Sequence, residues 1–167
     1  MYEIVLWATD ASPVADGALV EALRLLQPGG HLIAFHCDER FLGGRSGGMP
    51  VLADETDRRG KLRGQIEKLK ADGIDVELVV ETTHHNTAGE IAKAADVHDA
   101  NVIVCGTRGF GVAAGLVAGS VAMRLPHLAS CPVVVVSETA AERATLAPRS
   151  SPTRRRRART AAPTLLR

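Results

Sequence analysis

The patterning of this chain predicts a doubly wound α/β domain built on a five-stranded parallel sheet, and three observations carry that expectation. Five short apolar runs, at residues 3–9, 31–36, 74–80, 101–105 and 133–136, have strand length. Helix-compatible segments separate them, so consecutive strands are joined by crossovers with helices on both faces of the sheet. The first run is apolar almost throughout rather than alternating, as expected of a strand buried on both sides in a parallel sheet.

Taken in order, residues 3–9 form the first strand, bounded by Asp10, Ser12 and Pro13. Ser12 is a good N-cap and Pro13 a good first helical residue. The helix that follows carries Val14, Ala18, Ala22 and Leu25 at near-helical spacing, with Leu19, Leu23 and Leu26 widening the stripe. Pro28, Gly29 and Gly30 should stop it before the second strand at 31–36. Periodicity is lost over 38–54, which predicts a mobile loop. Residues 55–71 read as a helix with Leu62, Ile66 and Leu69 on one face, and Gly60 and Gly64 each cost it about 1 kcal/mol. Asp72 and Gly73 end it. Residues 74–80 alternate early, like a strand with one face partly in solvent. Thr87 and Glu90 form a capping box ahead of Ile91, Ala94 and Ala95 in a helix running to about His98. The strand at 101–105, a helix over 120–128 and a strand at 133–136 complete the series.

Length and composition agree with one domain. The chain has 167 residues, 46% hydrophobic but only 3% aromatic, so Val, Leu, Ile and Ala must supply most of its core. No apolar stretch reaches membrane-spanning length, and the first residues lack the basic start of a signal peptide, which predicts a cytoplasmic protein. Cys37, Cys105 and Cys131 border apolar runs and show no C-x-x-C spacing, so they read as buried free thiols. The net charge of +1 conceals an asymmetry. Residues 1–137 hold twelve Lys/Arg and seventeen Asp/Glu, whereas 138–167 hold eight Arg and two Glu. The second segment, rich in Ala, Arg, Ser, Thr and Pro, should be a disordered basic tail. Its run of arginines at 154–157 could attract nucleic acid or an anionic surface, or be a solvated extension with no dedicated partner.

The chemistry concentrates after the fourth strand, where Gly106, Gly109 and Gly119 precede Ser120 and a helix. Glycines let backbone approach a ligand closely. The first amides of the helix have no intrahelical partner and lie at the positive end of its dipole, so a phosphate suits both. No lysine precedes Ser120, so this is not the G-x-x-x-x-G-K-[ST] loop, nor is the spacing that of a dinucleotide fingerprint.

The spacing G-x2-G-x9-G-[ST], with a strand before it and the valine strand 133–136 after it, resembles the nucleotide-binding signature of the ATP-binding branch of the universal stress protein family. Residues 1–137 would form that domain. The resemblance implies an adenine-nucleotide-alpha-hydrolase-like sheet of order 3-2-1-4-5, in which the first and fourth strands meet where the winding reverses. Asp10 and Gly106 then end neighbouring strands at the ligand crevice. The resemblance also implies ATP, with Mg²⁺ only through the bound nucleotide, in a pocket lined by the backbone of Ala8 and Thr9. Asp10 would take a ribose hydroxyl or adenine amine, or face the phosphate-bound Mg²⁺; it could equally be a helix N-terminal acid near Ser12. Cys37 falls where the family usually has an adenine-contacting Val. Ser120 and the amides around it, Val121 included, would hold phosphate oxygens, inside a signature that also contains Thr107, Arg108 and Gly109. Ser120 should cap its helix even without ligand. Arg108 either pairs with phosphate or is a solvated loop charge.

The chain departs from the family after the third strand, where residues 81–86 replace a Gly-x-Pro-like turn. His84 and His85, adjacent and without a spaced partner, do not suggest a metal site. Neither Ser12 nor Ser120 has a recognisable His/Asp partner, and no strand lysine or second carboxylate accompanies Asp10. The expectation is a nucleotide-dependent regulatory module, homodimeric through the 133–136 edge strand, with at most weak ATP hydrolysis. Two rivals are a dimeric scaffold that no longer uses nucleotide, and a small adenylyl-transferring enzyme.

Overall fold

A computed structural model describes residues 1–39, 51–83, 86–107, 119–137 and 139–140, the side chains of 39 and 51–55 excepted. The elements alternate as β1 (Tyr2–Thr9), α1 (Pro13–Leu25), β2 (Leu26–Glu39), α2 (Val51–Ala71), β3 (Asp75–Thr83), α3 (Thr87–Val97), β4 (Val102–Gly106), α4 (Ser120–Leu128) and β5 (Val133–Val136). The strands form one sheet in the order β3-β2-β1-β4-β5. Every neighbouring pair is parallel, as the crossover helices require.

Strand β1 divides the core by simple alternation. Val5 and Trp7 face a cluster with Ala18 and Ala22 of α1 and Leu62, Ile66 and Leu69 of α2. Leu6 and Ala8 face the opposite cluster, with Ile91, Ala92 and Ala95 of α3 and Leu125 of α4. Aliphatic residues fill most of both layers, and one fully buried aromatic anchors each, Trp7 on one side and Phe35 on the other. Burying Leu62 and Ile66 contributes roughly 2 kcal/mol each. Trp7 also donates its indole N–H to the Ala15 carbonyl at 2.9 Å, which fixes α1 against β1.

Several boundaries differ from the sequence reading for identifiable reasons. The buried line of α1 begins at Ala15 rather than Val14, and the longer Leu19, Leu23 and Leu25 pack partly buried around it. Leu26 turns extended and already pairs with Tyr2, so Pro28, Gly29 and Gly30 form an irregularity within β2 instead of a separate stop. Gly30 is needed there, because a Cβ at this position would lie 2.6 Å from the Glu3 carbonyl oxygen. Helix α2 starts at Val51, so the last part of the predicted 38–54 loop is helical; Asp38 and Glu39 end β2, and 40–50 lie outside the described residues. Asn86, not Thr87, caps α3, its side chain accepting from the Gly89 amide at 3.3 Å. His84, His85 and, apart from 139–140, the 138–167 tail also lie outside the described residues. Among the described residues, no helix is long and apolar enough to cross a membrane.

Candidate functional site

The carboxyl ends of β1 and β4 stand side by side, Ala8 pairing with Cys105. Beyond Ala8 the chain makes a tight corner into α1. Thr9, buried and paired with His36, accepts the Ala11 amide on its hydroxyl at 3.1 Å. The Asp10 carboxylate accepts the Ser12 amide at 3.0 Å. Between these bonds Ala11 adopts a φ of 63°, a left-handed conformation that a residue with a Cβ seldom takes. Ser12 then caps α1 as expected, accepting the Ala15 amide at 3.3 Å. His36 braces the corner from β2, its Nδ1 lying 2.8 Å from the Thr9 carbonyl oxygen. A carbonyl only accepts, so that nitrogen carries the proton.

The corner is also held by residues that no local motif indicates. Lys61, on α2, donates its ammonium to the Ala11 carbonyl and to the Asp16 carboxylate, both at 2.7 Å. Gln65, one turn further along, donates to the other Asp16 oxygen at 2.8 Å. On the far side of the same helix, Arg59 pairs at 2.7 Å with the buried Asp38 carboxylate at the end of β2. In sequence Lys61 and Arg59 are two among many charges on an exposed helix, and nothing local marks their partners.

At the end of β4 the arrangement is more open. Gly106 pairs with Val136, and the Thr107 amide continues the ladder to the Val136 carbonyl at 2.8 Å. The chain departs after Thr107 and is back beside it at Gly119, whose amide donates to the Thr107 carbonyl at 2.7 Å. Gly119, with φ −74° and ψ 160°, is the N-cap of α4, and among the described residues no side chain caps that helix. Ser120 is therefore its first helical residue and is exposed, contrary to the expectation that its hydroxyl would serve as the cap. The first intrahelical bond runs from the Met123 amide to the Gly119 carbonyl at 3.1 Å. The amides of Ser120, Val121 and Ala122 thus precede the helical ladder, and no acidic side chain occupies the first turn.

Of the anticipated site residues, Ala8, Thr9, Asp10, Gly106, Thr107, Gly119, Ser120 and Val121 meet at this one edge of the sheet. Cys37 lies one residue beyond the His36–Thr9 pair, half-buried against the α3/α4 cluster. Arg108 and Gly109 lie outside the described residues. Burial pushes the Cys105 thiol, just before Gly106, up to about 11, so it stays protonated at neutral pH. Among the described residues no group of three or more His, Cys, Asp or Glu is arranged to hold a metal ion.

Comparison with known proteins agrees with this architecture. The model of the universal stress protein family matches residues 1–137. No curated protein matches the chain. Among solved structures, a universal stress family protein from Burkholderia pseudomallei is similar at 23% identity and a TM-score of 0.61, covering 81% of this chain and 96% of its own. A universal stress protein in complex with cAMP shares 21% identity at a TM-score of 0.59, with coverage of 81% and 97%. One from Archaeoglobus fulgidus in complex with dAMP shares 23% identity at 0.52, with coverage of 81% and 98%. At such identities these likenesses are of fold. The sheet order, the glycine spacing and the match over residues 1–137 lead to one conclusion: the chain belongs to the universal stress protein family.

Proposed function

We propose that the protein is a nucleotide-dependent regulatory module of the stress response that binds ATP, with Mg²⁺ carried by the nucleotide, at the carboxyl ends of β1 and β4. The observation that carries this reading is the start of α4: an N-terminus with, among the described residues, no side-chain cap and no acid in its first turn, tied by Gly119 to the end of β4. Amides so placed suit phosphate oxygens. In this reading Gly106, Thr107, Arg108, Gly109, Gly119, Ser120 and Val121 hold the phosphates. Ala8, Thr9 and Asp10 line the ribose and adenine side, with Cys37 against the base. The cAMP and dAMP complexes of two relatives support an adenine nucleotide as the ligand class.

The module works as a homodimer in the cytoplasm. Support for the dimer comes from the edge position of β5, where Val135 is exposed, and from exposed Met123 and Leu128 on α4. Occupancy alters the dimer or the 38–54 segment and so the choice of partner, while the 138–167 tail contributes nonspecific contacts to anionic surfaces. Calorimetry with ATP and Mg²⁺ on the wild type and on Gly109→Asp/Gly119→Asp tests the site. Binding should disappear in the double variant. Equal affinity in both would remove the site, and a wild type that gains no melting temperature from ATP would favour the nucleotide-independent scaffold.

A further inference from the structure

We propose that Lys61, reaching from α2 to the Ala11 carbonyl and the Asp16 carboxylate, is the positioning residue that sets Asp10 for nucleotide and thereby couples nucleotide binding to the seating of α2. The inference rests on the nucleotide reading above and deepens it. Its basis is a corner that its own sequence does not favour. Ala11 holds a left-handed φ without being glycine, and such a conformation persists only where surrounding contacts over-determine it. Two of those contacts are local, the Thr9 hydroxyl to the Ala11 amide and the Asp10 carboxylate to the Ser12 amide. The third comes from a distant element, the Lys61 ammonium on the Ala11 carbonyl at 2.7 Å. Because the Asp10 carboxylate is held by the Ser12 amide on the far side of Ala11, a change in the φ or ψ of Ala11 moves that donor and releases the Asp10 side chain.

The geometry of α2 makes Lys61 more than a surface cation. Leu62, Ile66 and Leu69 are buried against the sheet. At about 100° per residue, Lys61 and Gln65 flank that buried face on one side and Arg59 on the other. Lys61 and Gln65 both end on Asp16, one on each carboxylate oxygen, while Arg59 ends on Asp38 beside Cys37. One helix therefore braces the ends of both β1 and β2, the two strands that would bear the ribose and adenine side of the ligand. By reciprocity, a nucleotide that requires the Asp10 geometry must tighten the seating of α2 by the same factor that α2 contributes to binding.

The test uses the full chain and the variants Lys61→Met, Lys61→Arg and, as a control on the same helix, Lys68→Met, whose side chain is exposed. Two quantities are read: the calorimetric Kd for ATP with Mg²⁺ well below the melting temperature, and hydrogen exchange of the Ala11 and Ser12 amides without ligand. Lys61→Met should bind about fivefold to tenfold more weakly and exchange faster at both amides. Lys61→Arg, which keeps a cationic donor, should stay within about twofold of the wild type, as should Lys68→Met. A Lys61→Met protein that binds as the wild type does would overturn the coupling, and unchanged exchange would overturn the bracing itself. If the wild type binds no ATP, the nucleotide reading fails on its own, and exchange at Ala11 still decides whether Lys61 holds the corner.

Discussion

Helices α1 and α4 begin at the same edge of the sheet, each after a central strand, and they begin in opposite ways. The start of α1 is closed by its own chain: Ser12 caps it, Pro13 opens it, Asp16 lies in its first turn, and Trp7 and Lys61 hold it from two other elements. The start of α4 has Gly119 as its cap residue, an exposed Ser120, no acid in its first turn and, among the described residues, no side-chain cap. Amides that a chain satisfies internally build structure, whereas amides kept open at a glycine can serve a ligand. One α/β unit closes its helix start with its own chain, and the other is the one to which the proposed reading assigns recognition.

The contrast can be broken most forcefully at Trp7. Trp7→Ala removes a fully buried side chain and its bond to Ala15, and should cost about 3–5 kcal/mol in urea unfolding. A loss below about 1 kcal/mol would mean that α1 is not anchored as described.

Gly119→Asp sharpens the contrast, because its two effects have opposite signs. A carboxylate at this N-cap should satisfy an open amide and favour the dipole, raising the stability of the free protein by about a few tenths of a kcal/mol. It should also repel phosphate and weaken ATP binding by about 30-fold or more, roughly 2 kcal/mol. Destabilisation together with lost binding would show instead that Gly119 serves folding.

The finest comparison is between two serines. Ser12→Ala deletes a buried cap and should cost about 1 kcal/mol. Ser120→Ala deletes an exposed hydroxyl that caps nothing and should change the free protein by less than about 0.5 kcal/mol, while still weakening ATP. Equal costs in thermal unfolding would erase the distinction between the two helix starts.

Much of the fold was legible because strand and helix periods differ, and because Leu62, Ile66 and Leu69 mark a face that only a helix creates. Two of the errors share one cause. Where two adjacent residues can both cap, at Asn86 and Thr87 or at Gly119 and Ser120, side-chain preference alone does not identify the one with extended backbone. The strand order came from the resemblance, since pairing between distant segments leaves no local trace. The same limit hid Lys61 and Arg59, whose partners Ala11, Asp16 and Asp38 are remote in sequence and near only once the sheet is assembled. The glycines stood out in the sequence because their spacing exceeds what a simple turn needs.

The bond between Gly119 and Thr107 has an evolutionary corollary. It ties the residue after β4 to the cap residue of α4 through backbone groups alone, so the start of that helix keeps its place on the sheet by a bond that side-chain substitution does not remove. Side chains around this corner can therefore vary among descendants while the helix start is inherited in position.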